Sequence, residues 1–138
     1  MSHVYAQRTG RWTMPNGRSF DGYSGHPPDG RNNPDLERLH AVGPLPRGVY
    51  EIVGPPVDTP EHGPYVLHLL PAPETPEYGR SGFLVHGDAI AAPGYASQGC
   101  IVLPRLAREA IWNSGDRWLT VVADAEPAPL IAVGDLAA

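Results

Sequence analysis

Short apolar runs, each closed by Gly, Pro or Asn, follow one another along most of this chain. Runs of this length with such boundaries are typical of β-strands joined by turns. A strong hairpin signal, Asn16-Gly17, lies inside the first of these regions. The pattern predicts two short strands within 9–25 and single strands at 49–53, 65–70, 83–88, 100–103 and 117–123.

One segment, 104–114, has the pattern of an amphipathic helix. Pro104 suits its first position and Gly115 suits the cap that follows it. Leu106, Ala110 and Ile111 are expected on its apolar face.

A shorter segment, 35–40, is compatible with one or two helical turns, with Asp35 as the N-cap. The expected fold is therefore mainly β, with one short α-helix at about 104–114 and a second short helix at about 35–40. A length of 138 residues is typical of a single domain, so 1–138 is expected to form one unit. The tail from 124 to 138 is expected to hold one more strand, at 130–133, or to be loose.

Composition and charge exclude several classes of function. The chain has 17 Pro and 16 Gly, which favour short elements over long helices. Its net charge of −5 is spread without a basic stripe, so nucleic acid is not an expected partner. No apolar run is long enough for a membrane span. The first twenty residues lack an apolar core, so no ordinary secretory signal is expected.

The single cysteine, Cys100, lies in the stretch ASQGCIVLP. One thiol excludes an internal disulfide and a multi-thiolate zinc site, and the histidines lack a ligand spacing, so no metal is expected. A lone cysteine is commonly a buried small hydrophobe. Here, however, a Ser-x-Gly-Cys turn precedes a strand, and the N–H groups of Gly99 and Cys100 can form an oxyanion hole beside a nucleophile.

A thiol nucleophile also needs a base, and His86 is the candidate. It ends the apolar run GFLV and begins a polar loop, so the sheet would hold it at the surface. The loop from 87 to 99 is long enough to bring Cys100 beside it. A purely structural His86 is the alternative that spacing leaves open.

These residues resemble the signature of the L,D-transpeptidase catalytic domain, which is His-Gly, a variable loop, and Ser-x-Gly-Cys. Further segments resemble the branch found among type VI secretion effectors that attack peptidoglycan, and the likeness covers about 9–123. The segments that carry this second resemblance are GYSGH (22–26), NNP (32–34), GPLPRGVYEI (43–52) and GRSGFLVHGD (79–88).

The resemblance implies an L,D-transpeptidase-like β-sandwich and a role for each matching residue. Cys100 would be the nucleophile and His86 its base. Gly99 would share the oxyanion hole with Cys100, and Ser97 would orient His86. No metal or organic cofactor is implied.

Three other residues are candidates for substrate binding. Arg80 can bind a stem carboxylate, or be a solvated loop residue or part of a local ion pair. Asp88 can orient His86 or stabilise its turn. Tyr23 can line the cleft or be an ordinary half-buried strand residue.

The chain also departs from the cross-linking members of the family. Gln98 stands where many of them have His, and Val102 and Leu103 stand where they carry a polar residue. The loop before Ser97 is short as well. These differences leave open the substrate preference and the balance of hydrolysis against transfer.

The expected function is cleavage of peptidoglycan tetrapeptide stems between the diamino acid and the terminal D-Ala, through a thioester. Water as acceptor would give an L,D-carboxypeptidase, and an amine would give a transpeptidase or D-amino-acid exchange. The alternatives are another Cys–His amidase or endopeptidase, and an inactive wall-binding module. The resemblance adds an immunity protein and a secretion-machine component as partners. It also implies synthesis in the cytoplasm and action in the periplasm of a target cell.

Overall fold

The computed structural model describes residues 2–124, which form nine β-strands, one α-helix and one 3-10 turn. The strands are β1 (Ser2–Ala6), β2 (Arg11–Thr13), β3 (Ser19–Asp21), β4 (Tyr23–Ser24), β5 (Gly48–Thr59), β6 (Gly63–Pro71), β7 (Leu84–His86), β8 (Ile101–Val102) and β9 (Trp118–Val122). The helix, α1, is Arg105–Asn113, and the 3-10 turn is Pro34–Leu36. The mainly β fold with one short α-helix is confirmed.

The nine strands form one sheet in the order β3-β2-β1-β9-β5-β6-β7-β8-β4. The two end strands, β3 and β4, are separated in sequence by Gly22 alone. The sheet must therefore curl until its ends meet. Gly22 donates its N–H to Gly10 O at 2.8 Å, and a Cβ at Gly22 would collide with Val102 O of β8. Glycine at this position lets the ends approach.

The inside of the curled sheet is the hydrophobic core, which α1 closes on one side. Its largest fully buried apolar side chains come from both halves of the sheet, from the segment before β5 and from α1. They are Tyr5, Trp12, Leu45, Tyr50, Ile52, Leu67, Ile101, Leu103, Ile111 and Leu119. Burial of this many large side chains stabilises a domain of this size without a disulfide.

The β5–β6 hairpin is longer than the sequence predicts. The sequence predicts a strand at 49–53 and a proline-rich loop after it, up to Gly63. In the structure β5 continues through Gly54, Pro55 and Pro56 to Thr59. The register between β5 and β6 shifts between Val53 and Val57, so Pro55 and Pro56 lie at an irregularity. A proline is tolerated there because a bulge interrupts the hydrogen-bond ladder.

The helical predictions need two corrections. The segment 35–40 forms only the 3-10 turn, and its N-cap is Asn33, whose side chain accepts the N–H of Asp35. Asp35 is therefore not the cap. In α1, Leu106 is 63% exposed, and the buried face consists of Ala107, Arg108 and Ile111.

The sequence does not predict strand β1. Its five residues, SHVYA, begin with two adjacent polar residues and do not alternate between polar and apolar. The proposed strand at 130–133 lies outside the described residues. The longest helix among residues 2–124 is far too short and polar to cross a membrane.

Candidate active site

A cavity of about 1190 Å³ opens beside β7 and β8, and it is lined by His86, the last residue of β7, and by Cys100, the residue just before β8. The two strands are parallel, with Val85 opposite Ile101 and His86 opposite Val102. Val85 and Ile101 are fully buried in the core. Because side chains alternate along a strand, His86 after Val85 and Cys100 before Ile101 face away from the core, and both line the cavity. The pairing of β7 with β8 therefore brings the predicted nucleophile and base to one site.

The thiol of Cys100 contacts the chain just before β7. Its Sγ lies 3.5 Å from Gly82 O, to which the thiol hydrogen can be donated. Burial raises the pKa of the Cys100 thiol, while the backbone of Leu84 and the charge of Arg80 lower it. In this arrangement the thiol is protonated near neutral pH.

The imidazole of His86 is 3% exposed, and its Nδ1 lies 2.8 Å from Gly87 O. This contact places the proton on Nδ1 and leaves Nε2 as the basic nitrogen. Burial lowers the pKa of His86, and the charges of His62 and Arg108 add to that effect. His86 is therefore neutral at rest, in the form that a general base needs.

The Ser97 side chain holds the turn that carries Cys100. Its fully buried hydroxyl accepts the N–H groups of Gly25 at 2.9 Å and Gly99 at 3.1 Å, and donates to Cys100 O at 2.6 Å. Its carbonyl lies 3.2 Å from Nδ1 of His26. Ser97 thus has partners other than His86, and its contacts are those of a residue that fixes the turn.

One of the two oxyanion amides expected from the sequence is occupied. The Gly99 N–H donates to Ser97, whereas the Cys100 N–H makes no hydrogen bond to any other residue within 2–124. The Cys100 amide is the one available to a developing oxyanion.

Arg80 is neither solvated nor part of an ion pair within residues 2–124. It is 4% exposed, and it donates to the carbonyls of Glu37, Gly43 and Pro44. Its Nη1 and Nη2 are thus already used by the protein, although Arg80 lies at the cavity wall.

Asp88 and Tyr23 fasten the loop between His86 and Ser97. Tyr23 donates its hydroxyl hydrogen to Asp88 Oδ1 at 2.6 Å and accepts the Ala96 N–H at 2.9 Å. Asp88 also accepts the N–H groups of Ala89 and Gly94. Burial and the Asp88 hydrogen bond raise the pKa of Tyr23 to about 12. The loop-fixing alternative for Asp88 fits these contacts.

Three residues of the cavity were not singled out from the sequence. Arg31 lies over the Tyr23 ring, 4.4 Å from its centroid, and forms no ion pair with residues 2–124. The ring centroid of His62, at the end of the β5–β6 hairpin, lies 4.7 Å from that of His86. Arg108 is buried and donates to the carbonyls of Leu103, Pro64 and Tyr65. Arg31 directly precedes the NNP segment (32–34), which could have drawn attention to it, whereas His62 and Arg108 lie outside the segments that carry the resemblance.

The model of the Tlde1 domain family matches residues 18–122, which is most of the chain. The chain belongs to the Tlde1 domain family. This family is a type VI effector domain of L,D-transpeptidase-like type, so the resemblance inferred from the sequence is confirmed. The matched range of this Tlde1 domain includes β3–β9, α1 and every cavity residue named above.

A solved structure gives the same fold. The Tlde1 domain is similar to Mycobacterium tuberculosis L,D-transpeptidase 1, with a TM-score of 0.50 and 18% sequence identity. The match covers 87% of this chain and 57% of that chain, so the domain spans little more than half of that protein. No curated protein matches the chain. Residues 2–124 contain no cluster of His, Cys, Asp and Glu that could hold a metal ion.

Proposed function

We propose that this domain is a cysteine enzyme that acts on the peptide stems of peptidoglycan. The observation that supports this most directly is that Cys100 and His86 line one cavity in a Tlde1 domain with an L,D-transpeptidase-like fold. A volume of about 1190 Å³ is somewhat larger than that of typical pockets for drug-sized ligands, which suits a peptide substrate.

The proposed reaction begins with proton transfer from the Cys100 thiol to Nε2 of His86. The thiolate attacks the carbonyl carbon of the diamino acid, and the oxyanion is bound by the Cys100 N–H. Collapse of the tetrahedral intermediate breaks the peptide bond to D-Ala, whose amine takes the proton from His86. A thioester remains on Cys100, and water or an amine attacks it to release the product.

The thiol must move for this first step. Its resting contact is with Gly82 O, in the segment before β7, whereas His86 is the last residue of β7. A rotation about the Cα–Cβ bond is a small change between staggered positions. We therefore assign the described conformation to the resting enzyme, in which both partners are neutral.

Arg31, rather than Arg80, is the residue that we assign to the substrate carboxylate. Its guanidinium is held over the ring of Tyr23, and no carboxylate among residues 2–124 is paired with it. A planar cation with free donors binds a carboxylate in a bidentate manner. The tetrapeptide stem offers such groups on the diamino acid and on D-Ala.

The test is digestion of labelled tetrapeptide muropeptides, with the products measured by mass spectrometry. Loss of D-Ala, or its exchange for another D-amino acid, is the expected result. Cys100→Ala should abolish it without loss of the fold, and Cys100→Ser should be nearly inactive because a hydroxyl ionises far less readily. Release of the whole stem would instead assign an amidase, and a cut within it an endopeptidase. Activity within tenfold of wild type in Cys100→Ala would refute the mechanism.

Thiol labelling separates the enzyme from an inactive wall-binding module. If Cys100 is a nucleophile, its alkylation rate should rise with pH as the thiolate forms. A module that binds sacculi, leaves muropeptides intact and alkylates slowly at every pH would exclude the enzyme.

We further propose that the protein acts in the periplasm of a target bacterium, where mature peptidoglycan lies. Residues 1–138 expressed with an added secretory leader should be toxic, and the same chain carrying Cys100→Ala should not be. Toxicity from the leaderless form alone, or toxicity that survives Cys100→Ala, would contradict this location.

A further inference from the structure

Arg80 is a buried cation without an anionic partner among residues 2–124. Its guanidinium donates to Pro44 O at 2.8 Å, Gly43 O at 2.9 Å and the Glu37 carbonyl. The nearby Glu37 carboxylate is held by Arg47 at 2.9 Å instead. Neutral carbonyls fix the position of the Arg80 guanidinium, but they do not cancel its charge.

This charge lies directly against the turn that carries the thiol. Gly99 has a φ of +136°, and a Cβ at this position would collide with Arg80 Nη2. Glycine therefore serves the turn and also admits the guanidinium. The next residue is Cys100, so the charge lies one residue from the nucleophile.

We propose that Arg80 is a positioning residue whose buried positive charge stabilises the Cys100 thiolate, and this inference rests on the proposed role of Cys100. Burial alone disfavours an anionic sulfur, so a thiol at this site needs a compensating charge. A buried cation is weakly screened by water and salt, and its orientation is already set before the reaction.

Burial is the largest effect on the Cys100 thiol and raises its pKa, while the backbone of Leu84 and the charge of Arg80 lower it. The charges of His62 and Arg108 act on His86 instead. The other titratable and charged groups that line the cavity are Asp21, Tyr23, Arg31, His40, Glu61, His62, His86, Asp88, Arg105 and Arg108.

The experiment measures the rate at which iodoacetamide alkylates Cys100 in the full chain between pH 6 and pH 11. The midpoint is the pH at which the alkylation rate reaches half of its maximum. In Arg80→Gln, this midpoint should rise by about 1 pH unit. The value of kcat/KM on a tetrapeptide stem at pH 7 should then fall roughly tenfold, because tenfold less thiolate is present. Arg80→Lys should keep the midpoint near that of wild type, because the charge remains.

The matched control is Arg47→Gln, which removes the partner of the Glu37 carboxylate and loosens the same loop without removing the charge near Cys100. The midpoint of Cys100 alkylation in Arg47→Gln should be the same as in wild type. Circular dichroism establishes that each variant is folded. If Arg80→Gln does not fold, the alkylation midpoint of Arg80→Lys tests the proposal, because the charge remains in that variant. A folded Arg80→Gln with an unchanged midpoint would overturn the proposal, and so would an Arg80→Lys or Arg47→Gln midpoint raised by a full unit. Alkylation needs no turnover, so its result is independent of the muropeptide digest that tests the enzyme.

Discussion

The thiol of Cys100 and the imidazole of His86 both lie where burial favours their neutral forms. The pair therefore differs from one that rests as thiolate and imidazolium. Proton transfer would occur only when substrate displaces the thiol from Gly82 and excludes water from the cavity. This order limits unproductive reactions of the nucleophile.

His86→Ala should lower the rate by roughly 10²- to 10⁴-fold, which is typical for loss of a general base. The acid limb of kcat/KM in the wild type should lie below pH 6.5, because the pKa of His86 is lowered and its neutral form is the active one. A pH–rate profile on a tetrapeptide stem measures this. His68→Ala is the control, since His68 is exposed on β6. An acid limb above pH 6.5, or an essential His68, would contradict the assignment.

Arg31→Met should raise KM roughly tenfold with little change in kcat, which corresponds to about 1.4 kcal/mol of binding. Steady-state kinetics on stems with free and amidated carboxylates measures the effect, and the difference between the two substrates should disappear in the variant. Arg38→Met is the matched control, because Arg38 also lies over a tyrosine ring, 5.3 Å from the Tyr78 centroid, but outside the cavity. An equal effect of both substitutions would remove Arg31 from the substrate site.

At the scale of elements, the Ser-x-Gly-Cys turn is held by side-chain hydrogen bonds more than by the strands around it. Strand β8 has only two residues, and the Ser97 hydroxyl joins the turn to Gly25 beyond β4. The serine of the motif thus connects the nucleophile to a neighbouring strand.

Ser97→Ala should lower the free energy of unfolding by about 1–3 kcal/mol, because the N–H groups of Gly25 and Gly99 lose a buried acceptor. The value of kcat should fall as well, since the turn loosens. Urea unfolding and the muropeptide digest measure the two effects. Ser19→Ala, on exposed β3, should change neither. A stable, fully active Ser97→Ala would show that the turn does not depend on this hydroxyl.

Local patterns predict the elements that depend on local chemistry. The Asn16-Gly17 hairpin, a strand within the predicted range 83–88 and the helix after Pro104 are all found, because turn and cap residues act on their near neighbours. The extension of β5 through Pro55 was not predictable in this way. It depends on β6 and on the Trp112 ring, against which Gly54 packs.

The same limit applies to the site. The motif predicts Cys100 and His86 at one cavity, since both lie within a short recognisable stretch. It does not predict that Arg80 is buried, because the carbonyls that hold it come from residues 37 to 44. Arg31 and His62 reach the cavity only through the pairing of distant strands, which a single sequence does not reveal.

At the scale of the whole molecule, His3 links three parts of the fold. Its Nδ1 accepts the indole N–H of Trp12 at 3.1 Å, and its Nε2 lies 3.1 Å from Asp116 O. The ring therefore carries its proton on Nε2. A second proton on Nδ1 would face the Trp12 donor, and burial lowers the pKa of His3 accordingly.

The free energy of unfolding should fall as pH drops below 6.5. In the unfolded chain His3 and His86 take up protons near pH 6.5, while in the folded protein their lowered pKa values keep them neutral, so acid favours the unfolded state. The slope should reach about 1.4 kcal/mol per pH unit for each group. Urea unfolding at pH 7.5 and pH 5.5 measures it. His3→Gln, which can still bond Trp12 and Asp116, should reduce the slope, and an unchanged slope would contradict the role of His3.

The position of β9 has a consequence for the time at which the active site appears. β9 lies between β1 and β5 and joins the half that contains β1–β3 to the half that contains β5–β8. It is also the last strand of the described chain to leave the ribosome, and its register with β1 joins Ser2 to Trp118. Such distant pairing slows folding, because the chain loses the entropy of closing a long loop before any stabilising contact forms. The sheet of the described residues would therefore remain incomplete until β9 has been synthesised, and the turn that carries Cys100 would become rigid only after β9 docks.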